Sequence, residues 1–491
     1  MSNTISEPPL ELLPEPVLRI GDTRVNGTEG GDYQHTYAAT GRPTATVPLA
    51  GAAEIEQAVR AARAALPGWR ATPADRRRDA LAAVSRLITE HTDRLSRINV
   101  IDNGTPLTVA LAQGGMAADL FAYNAGWADK GGGEVHETWP IPALDYSLEE
   151  PYGVIGVIIP WNGPITALGQ VLAPALAAGN CVVVKPPELA PFSALAMAEL
   201  FDEAGIPPGV VSVLPGGPEA GEALVRNPGV DKIHFTGSAA VARRIASAAS
   251  ERLVPLGFEL GGKSAVIVFD DADIDTAIQS ALAGISVNLS GQGCINGTRT
   301  LVQRGLYDDF QAGLTEAVGS ITIGDPMDAR TTMGPVISEL ACERILGVID
   351  TAVTQKHGRL VAGGSRLGNG LEDGYFIAPT VFADVDPQSS LAQEEIFGPV
   401  QSLIPFDSED DAVRLANETA YGLAGYIHTR DLGRCHRLAA SLEVGDIWVN
   451  GGFGIPASVP FGGVKSSGYG RIGGRHGIRE FMRPKNVWIA L

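Results

Sequence analysis

The sequence predicts an α/β protein: a doubly wound parallel sheet, a second α/β unit and a small β excursion. Three observations carry that expectation. Short apolar runs alternate with helical periods from about residue 153 onward. The 491 residues suffice for about three domains, each burying a core of its own. Charged residues are 19%, the hydrophobic set is 45% and glycines number 60, a composition of compact folds rather than disordered chains.

Taken in order, residues 54–66 (EIEQAVRAARAAL) repeat Ile55, Val59, Ala62 and Leu66 at helical spacing. A second helix opens at Thr72-Pro73, a capping residue followed by proline at the first helical position. Its Arg76-Arg77-Arg78 run is flanked by Asp75 and Asp79 and reads as a solvated face. Residues 131–150, with two prolines and alternating side chains, suggest a hairpin or excursion. Strands follow at 153–159, 180–184, 210–214 and 232–235, separated by helices at 165–178, 191–204 and 219–226 and followed by one at 239–249. Such β-α-β units make a parallel sheet whose ligand lies beyond the carboxyl ends of the strands. The alternation restarts with a strand at 264–269, a helix at 274–283 and a strand at 300–303.

Lys and Arg total 37 against 56 Asp and Glu, a net charge of −19 that repels phosphate backbones and anionic membranes. Nucleic acid is therefore not an expected partner. The most apolar stretch, 168–184, is interrupted by Gln170, Pro174, Gly179 and Asn180, so no membrane span is expected. The acidic, Pro-rich start lacks the basic and apolar segments of an export signal. Cys181, Cys294, Cys342 and Cys435 are scattered without a C-x-x-C pair, which suits a reducing cytoplasm. With no clustered His or Cys ligands, no metal site is expected.

Several motifs carry chemistry. GYGRIG, with Gly468, Gly470 and Gly473, matches a dinucleotide fingerprint, but the fingerprint works inside a β-α-β unit with an acid about 20 residues later, which the residues up to Leu491 do not supply, so it reads as a turn. FTGS, 235–238, stands where a strand meets a helix whose first N–H groups are free: either a phosphate cradle or a plain helix cap. KPPE puts Lys185 and Glu188 at the same mouth of the sheet, as a pair for a ribose diol or as an exposed ion pair. ELGGK, 259–263, delivers Glu259 into a double-glycine turn. In SGQGC, 290–294, Cys294 sits among glycines, poor core composition that favours an accessible thiol.

PWNGP (160–164), KPPE, FTGS, ELGGK, GQGC, EEIFGPV (394–400) and PFGGVKSSGYGR (460–471) together, in this order, resemble the NAD(P)-dependent aldehyde dehydrogenases from about residue 18 to the C-terminus. The resemblance implies that Cys294 is the nucleophile, adding to an aldehyde to give a thiohemiacetal and, after hydride transfer, a thioester. Asn162 and the Cys294 N–H would form the oxyanion hole, at about 3 kcal/mol per donor. Glu259 would be the general base for hydrolysis. A free thiol of pKa about 8.5 is only about 3% thiolate at pH 7, so Cys294 needs activation.

The cofactor implied is NAD, held by Ile159, Pro160, Trp161, Lys185, Glu188, Gly217, Pro218, Phe235, Gly237, Ser238, Leu260, Gly261, Glu395 and Phe397. Within that set, Lys185 and Glu188 would take the adenosine ribose, Gly217 and Pro218 the adenine, Ser238 the pyrophosphate, and Glu395 and Phe397 the nicotinamide half. Glu188 favours NAD over NADP, because a 2′-phosphate about 4 Å away would be repelled by about 4 kcal/mol at an effective dielectric of about 20.

The resemblance further implies a dinucleotide-binding domain (1–130 and 151–257), a catalytic domain (258–466) and oligomerisation strands (131–150 and 475–491) of a homodimer or homotetramer. Two departures stand out. An added residue is expected within 286–290, and Gly163, with Ala167, widens a tunnel whose walls at Ile295, Phe453 and Phe461 are apolar. A CoA-acylating dehydrogenase and a catalytically silent relative are the rival readings. The first is disfavoured by Glu259, the second by the joint presence of Cys294, Asn162, Glu259 and Glu395.

Overall fold

Strands Val154–Ile158 and Cys181–Lys185 are buried along their whole length, as β-branched runs covered on both faces must be. The structure is a computed structural model and describes residues 4–452 and 454–491, the side chains of 287 and 288 apart. The two strands sit centrally in an eight-stranded sheet. Its five parallel members run Val211–Val213, Cys181–Lys185, Val154–Ile158, Lys232–Gly237, Leu256–Leu260. In chain order this is 3-2-1-4-5, so the winding reverses between Val154–Ile158 and Lys232–Gly237. Ligands of such sheets bind in the crevice at that reversal. Burial of each Val182, Val183 and Val184 side chain contributes about 1.5–3 kcal/mol against an exposed reference.

A second, seven-stranded sheet is ordered Arg359–Ala362, Thr380–Ala383, Val400–Phe406, Arg299–Gln303, Ala265–Val268, Ala424–His428, Asp446–Val449, and only its first strand is antiparallel. In the third sheet the C-terminal strand Met482–Ala490 pairs antiparallel with Ala143–Pro151 of its own chain, and Val135–His136 adds an edge. Met482–Ala490 is an edge strand of this sheet, paired on one side only.

Local differences from the sequence reading have physical causes. Thr72 does not cap the second helix: its hydroxyl donates to the Gly68 carbonyl at 2.9 Å, closing the Ala52–Ala71 helix, while Ala74–Glu90 starts after Pro73. Arg77 is not part of a solvated face, because its guanidinium donates to the Thr72 and Ala177 carbonyls at 2.5 and 3.3 Å. The helix expected at 274–283 runs on as Ile274–Gly291, ending through positive φ at Leu289, Ser290 and Gly291. Of the GYGRIG glycines, Gly468 falls on a short edge strand, Gly468–Tyr469, antiparallel to Leu256–Leu260, and Gly473 precedes the Gly474–Glu480 helix.

Candidate active site

Pro164 opens the Pro164–Ala177 helix at its first turn, where the missing N–H costs nothing, and this fixes the preceding Pro160–Gly163 turn. From that turn Asn162 donates its Nδ2–H to the Gln292 carbonyl at 2.8 Å, two residues before Cys294. The nucleophile candidate is thus gripped from one side. From the other comes the ELGGK turn: a Cβ at Gly262 would stand 2.6 Å from the Cys294 carbonyl oxygen. Only glycine permits that approach. Gly262 also donates its N–H to Glu395 Oε1 at 3.0 Å, and the Glu395 carboxylate fills the space above Gly261.

The electrostatics around the thiol are unfavourable to its anion. Burial, then Glu395, then Glu259 push Cys294 up to about 12. Burial likewise raises Glu395 to about 7, against the Gly262 hydrogen bond and the Lys263 and Arg344 charges. Glu259 is buried, its Oε2 has no partner, and its pKa is raised well above the usual carboxylate range by burial, with Arg471 opposing. A Cβ at Gly462 would meet Glu259 Oε1 at 2.7 Å, so the carboxyl rests on the PFGG turn, at no hydrogen-bonding distance from the sulfur.

A cavity of about 610 Å³ lies at the carboxyl ends of the parallel strands. Ile159, Pro160, Trp161, Lys185, Glu188, Gly217, Pro218, Phe235 and Gly237 all line it. Its volume falls within the range of about 300–1000 Å³ for cofactor-sized ligands. Burial lowers Lys185 to about 8, with Glu188 opposing, and its ammonium donates to the Gly216 carbonyl at 2.5 Å. Leu260, Gly261, Glu395, Phe397 and Ser238 are not among its lining residues. Of these, Ser238 caps the Ala239–Ser250 helix by accepting from the Val241 N–H at 3.4 Å. Phe397 meets Trp161 edge-on, with ring centroids 5.3 Å apart. Gly237 has a reason the sequence reading missed: a Cβ there would lie 2.5 Å from the Phe235 ring. Val241, Arg244 and Ile245 also line the cavity and were missed. Their spacing along the helix was the available signal. Ile295 and Phe461 are buried, and Phe453 lies outside the described residues.

The model of the aldehyde dehydrogenase family matches residues 25–487. The chain belongs to the aldehyde dehydrogenase family. It is 40% identical to an aldehyde dehydrogenase of Emericella nidulans over 99% of this chain and 98% of that one. It is also 40% identical to a betaine aldehyde dehydrogenase of Cereibacter sphaeroides, over 93% of each chain. Among solved structures, betaine aldehyde dehydrogenase from Staphylococcus aureus in complex with NAD+ superposes with a TM-score of 0.95 at 33% identity, covering 98% of this chain and 96% of that one. PnpE from Pseudomonas sp. WBC-3 gives 0.94 at 37%, covering 97% and 98%. The α/β fold read from the sequence is that of an aldehyde dehydrogenase. No group of potential metal ligands occurs among the described residues, and no helix among them is long and apolar enough to cross a membrane.

Proposed function

We propose that this aldehyde dehydrogenase oxidises an aldehyde to a carboxylic acid with NAD, through covalent catalysis at Cys294. The observation that carries the reading is the clamp on the nucleophile turn: Asn162 on Gln292 from one side, Gly262 against the Cys294 carbonyl from the other. Cys294 Sγ, its proton given up to water, bonds as the thiolate to the carbonyl carbon while the C=O π pair moves to oxygen, and the resulting oxyanion takes hydrogen bonds from Asn162 Nδ2 and the Cys294 N–H. NAD, when bound, accepts the hydride of the thiohemiacetal. Glu259 removes a proton from the water that hydrolyses the thioester, freeing the acid and the thiol. Because burial keeps Glu259 protonated to unusually high pH, hydrolysis should quicken as pH rises.

The cavity's donors fit that cofactor. Lys185 and Glu188 offer a donor and an acceptor to a ribose diol, Gly217, Pro218, Val241 and Ile245 form an apolar slot for a base, and the Ala239–Ser250 helix opens with unpaired N–H groups suited to a pyrophosphate. Residues 1–130 with 151–257 then serve cofactor binding, 258–466 catalysis, and 131–150 with 475–491 assembly. Exposed Trp488 and Ile489 on the three-stranded sheet, with exposed Trp139 and Ile141 in the loop joining two of its strands, support a homodimer or homotetramer. The four free thiols suit the cytoplasm.

The deciding experiment follows NADH formation with an aldehyde panel, alongside intact-mass detection of an acyl adduct. Glu259→Gln should accumulate the adduct on Cys294, and Cys294→Ala should form neither adduct nor NADH. Undiminished oxidation by Cys294→Ala would refute the scheme.

A further inference from the structure

The Leu107–Ala125 helix approaches the Pro164–Ala177 helix closely. A Cβ on Gly169 would lie 3.2 Å from Ala117 Cα, and Thr166 Oγ1 donates to the Gln113 carbonyl at 3.4 Å. This contact brings the Gln113 side chain to the turn that carries Asn162. A Cβ added at Gly163 would meet only Gln113 Nε2, at 3.9 Å. The space left by the missing side chain next to Asn162 therefore ends on an amide nitrogen.

The orientation of that amide is dictated by a chain of hydrogen bonds behind it. Thr105 N–H donates to Asn103 Oδ1 at 3.0 Å. Asn103 Nδ2 donates to the Trp161 carbonyl at 2.9 Å and to Asn99 Oδ1 at 3.1 Å. Asn99 Nδ2 then donates to Gln113 Oε1 at 2.8 Å. A backbone N–H can only donate and a backbone carbonyl can only accept, so Thr105 and Trp161 fix which way Asn103 points. Asn103 in turn fixes Asn99, and Asn99 fixes Gln113. Asn99 and Asn103 are fully buried, which closes off water as an alternative partner. The group left over at the open end is Gln113 Nε2, which donates to no described residue.

We propose that Gln113 is a specificity-determining residue whose Nε2–H donates to an acceptor oxygen borne on the substrate's own chain, in the space that Gly163 leaves beside Asn162. The inference rests on the reading of Asn162 and Cys294 as the reacting site, and names the substrate class. An aldehyde with an ether, hydroxyl or carbonyl oxygen a few bonds from its reacting carbon pairs this donor; a hydrocarbon chain of equal length covers it and leaves it unpaired. The oxygen is a neutral one, since the donor is an uncharged amide that brings no positive charge to offset an anionic group. The apolar tunnel expected from Ile295 and Phe461 thus acquires one polar wall.

Pentanal, ethoxyacetaldehyde and 3-methoxypropanal have the same number of heavy atoms and differ in one CH2 exchanged for oxygen. The readout is the ratio of kcat/KM for an ether aldehyde to that for pentanal, with NAD and the full chain. At least one ratio should fall about tenfold in Gln113→Leu. Gln113→Glu still accepts from Asn99 but presents no donor when ionised, so it should lose the same preference while its pentanal turnover shows the fold intact. Ratios unchanged in both variants overturn the role of Gln113 and leave aldehyde oxidation standing. Absence of NADH from all three aldehydes with the wild-type enzyme overturns the underlying reading, and the proposal with it.

Discussion

Asn162 Nδ2 and the Gln292 carbonyl are joined by a 2.8 Å hydrogen bond that ties the PWNGP turn to the turn presenting Cys294. One amide hydrogen is spent on that tie and the other is left for a developing oxyanion. Asn162→Ala should therefore lower kcat/KM by about 10²–10³-fold, the loss of one oxyanion donor. Steady-state kinetics check this, and a loss under threefold would remove Asn162 from the reaction.

Adjacent glycines of the ELGGK turn should respond differently to alanine. At Gly262 the new Cβ would strike the Cys294 backbone oxygen, which cannot move without displacing the nucleophile. Activity should drop about 10²-fold or more, the scale of an ångström's misplacement. At Gly261 the obstacle is the end of the Glu395 side chain, which can swing away. That variant should fold normally and show chiefly a raised KM for NAD. Thermal melts with both kinetic constants discriminate the two outcomes.

Burial lifts Glu395 from 4.5 to about 7 in the folded protein. The folded state then holds the proton more tightly than the unfolded one, so this group's contribution is most favourable below pH 4.5 and is lost as pH climbs through 7. Glu395→Gln escapes that loss. Its stability relative to wild type should improve between pH 5 and pH 8, by at most about 3 kcal/mol. Denaturant titrations at the two pH values give the sign directly; an advantage that shrinks with pH would contradict it.

Burial first, and then the same carboxylate, hold the thiol in its protonated form. With Cys294 pushed up to about 12, alkylation by iodoacetamide at pH 7.5 without cofactor should be slower than that of free cysteine and should rise with pH. Removing a neighbouring negative charge favours the thiolate, so Glu395→Gln should react faster. Peptide mapping of the Cys294 adduct over time provides the measurement.

Glu188 lines the cavity together with Lys185. Its charge should make kcat/KM with NAD exceed that with NADP by about tenfold or more, and Glu188→Gln should narrow the gap. A comparison of the two cofactors at fixed aldehyde suffices, and an equal or better NADP value for wild type would overturn the preference.

The sequence by itself determined the alternation of strands and helices after residue 153, because strands buried on both faces must be β-branched runs and their connecting helices must show a 3.6-residue period. It also determined which residues stand at strand ends and in glycine-rich turns, among them Cys294, Glu259, Lys185 and Glu188, since these depend only on local order along the chain. Tertiary structure decided what cannot be read locally. The thiol's pKa is raised by burial in the folded core and then by Glu395 and Glu259, about 100 and 35 residues away in sequence. The glycine at 237 is required by its neighbour's ring as well as by any ligand, and the C-terminal strand closes on Ala143–Pro151 across more than 300 residues. The orientation of Gln113 is likewise not a property of its neighbours in sequence. It follows from hydrogen bonds relayed through Asn99 and Asn103 to a backbone carbonyl on another turn, a relay that exists only once those helices have packed.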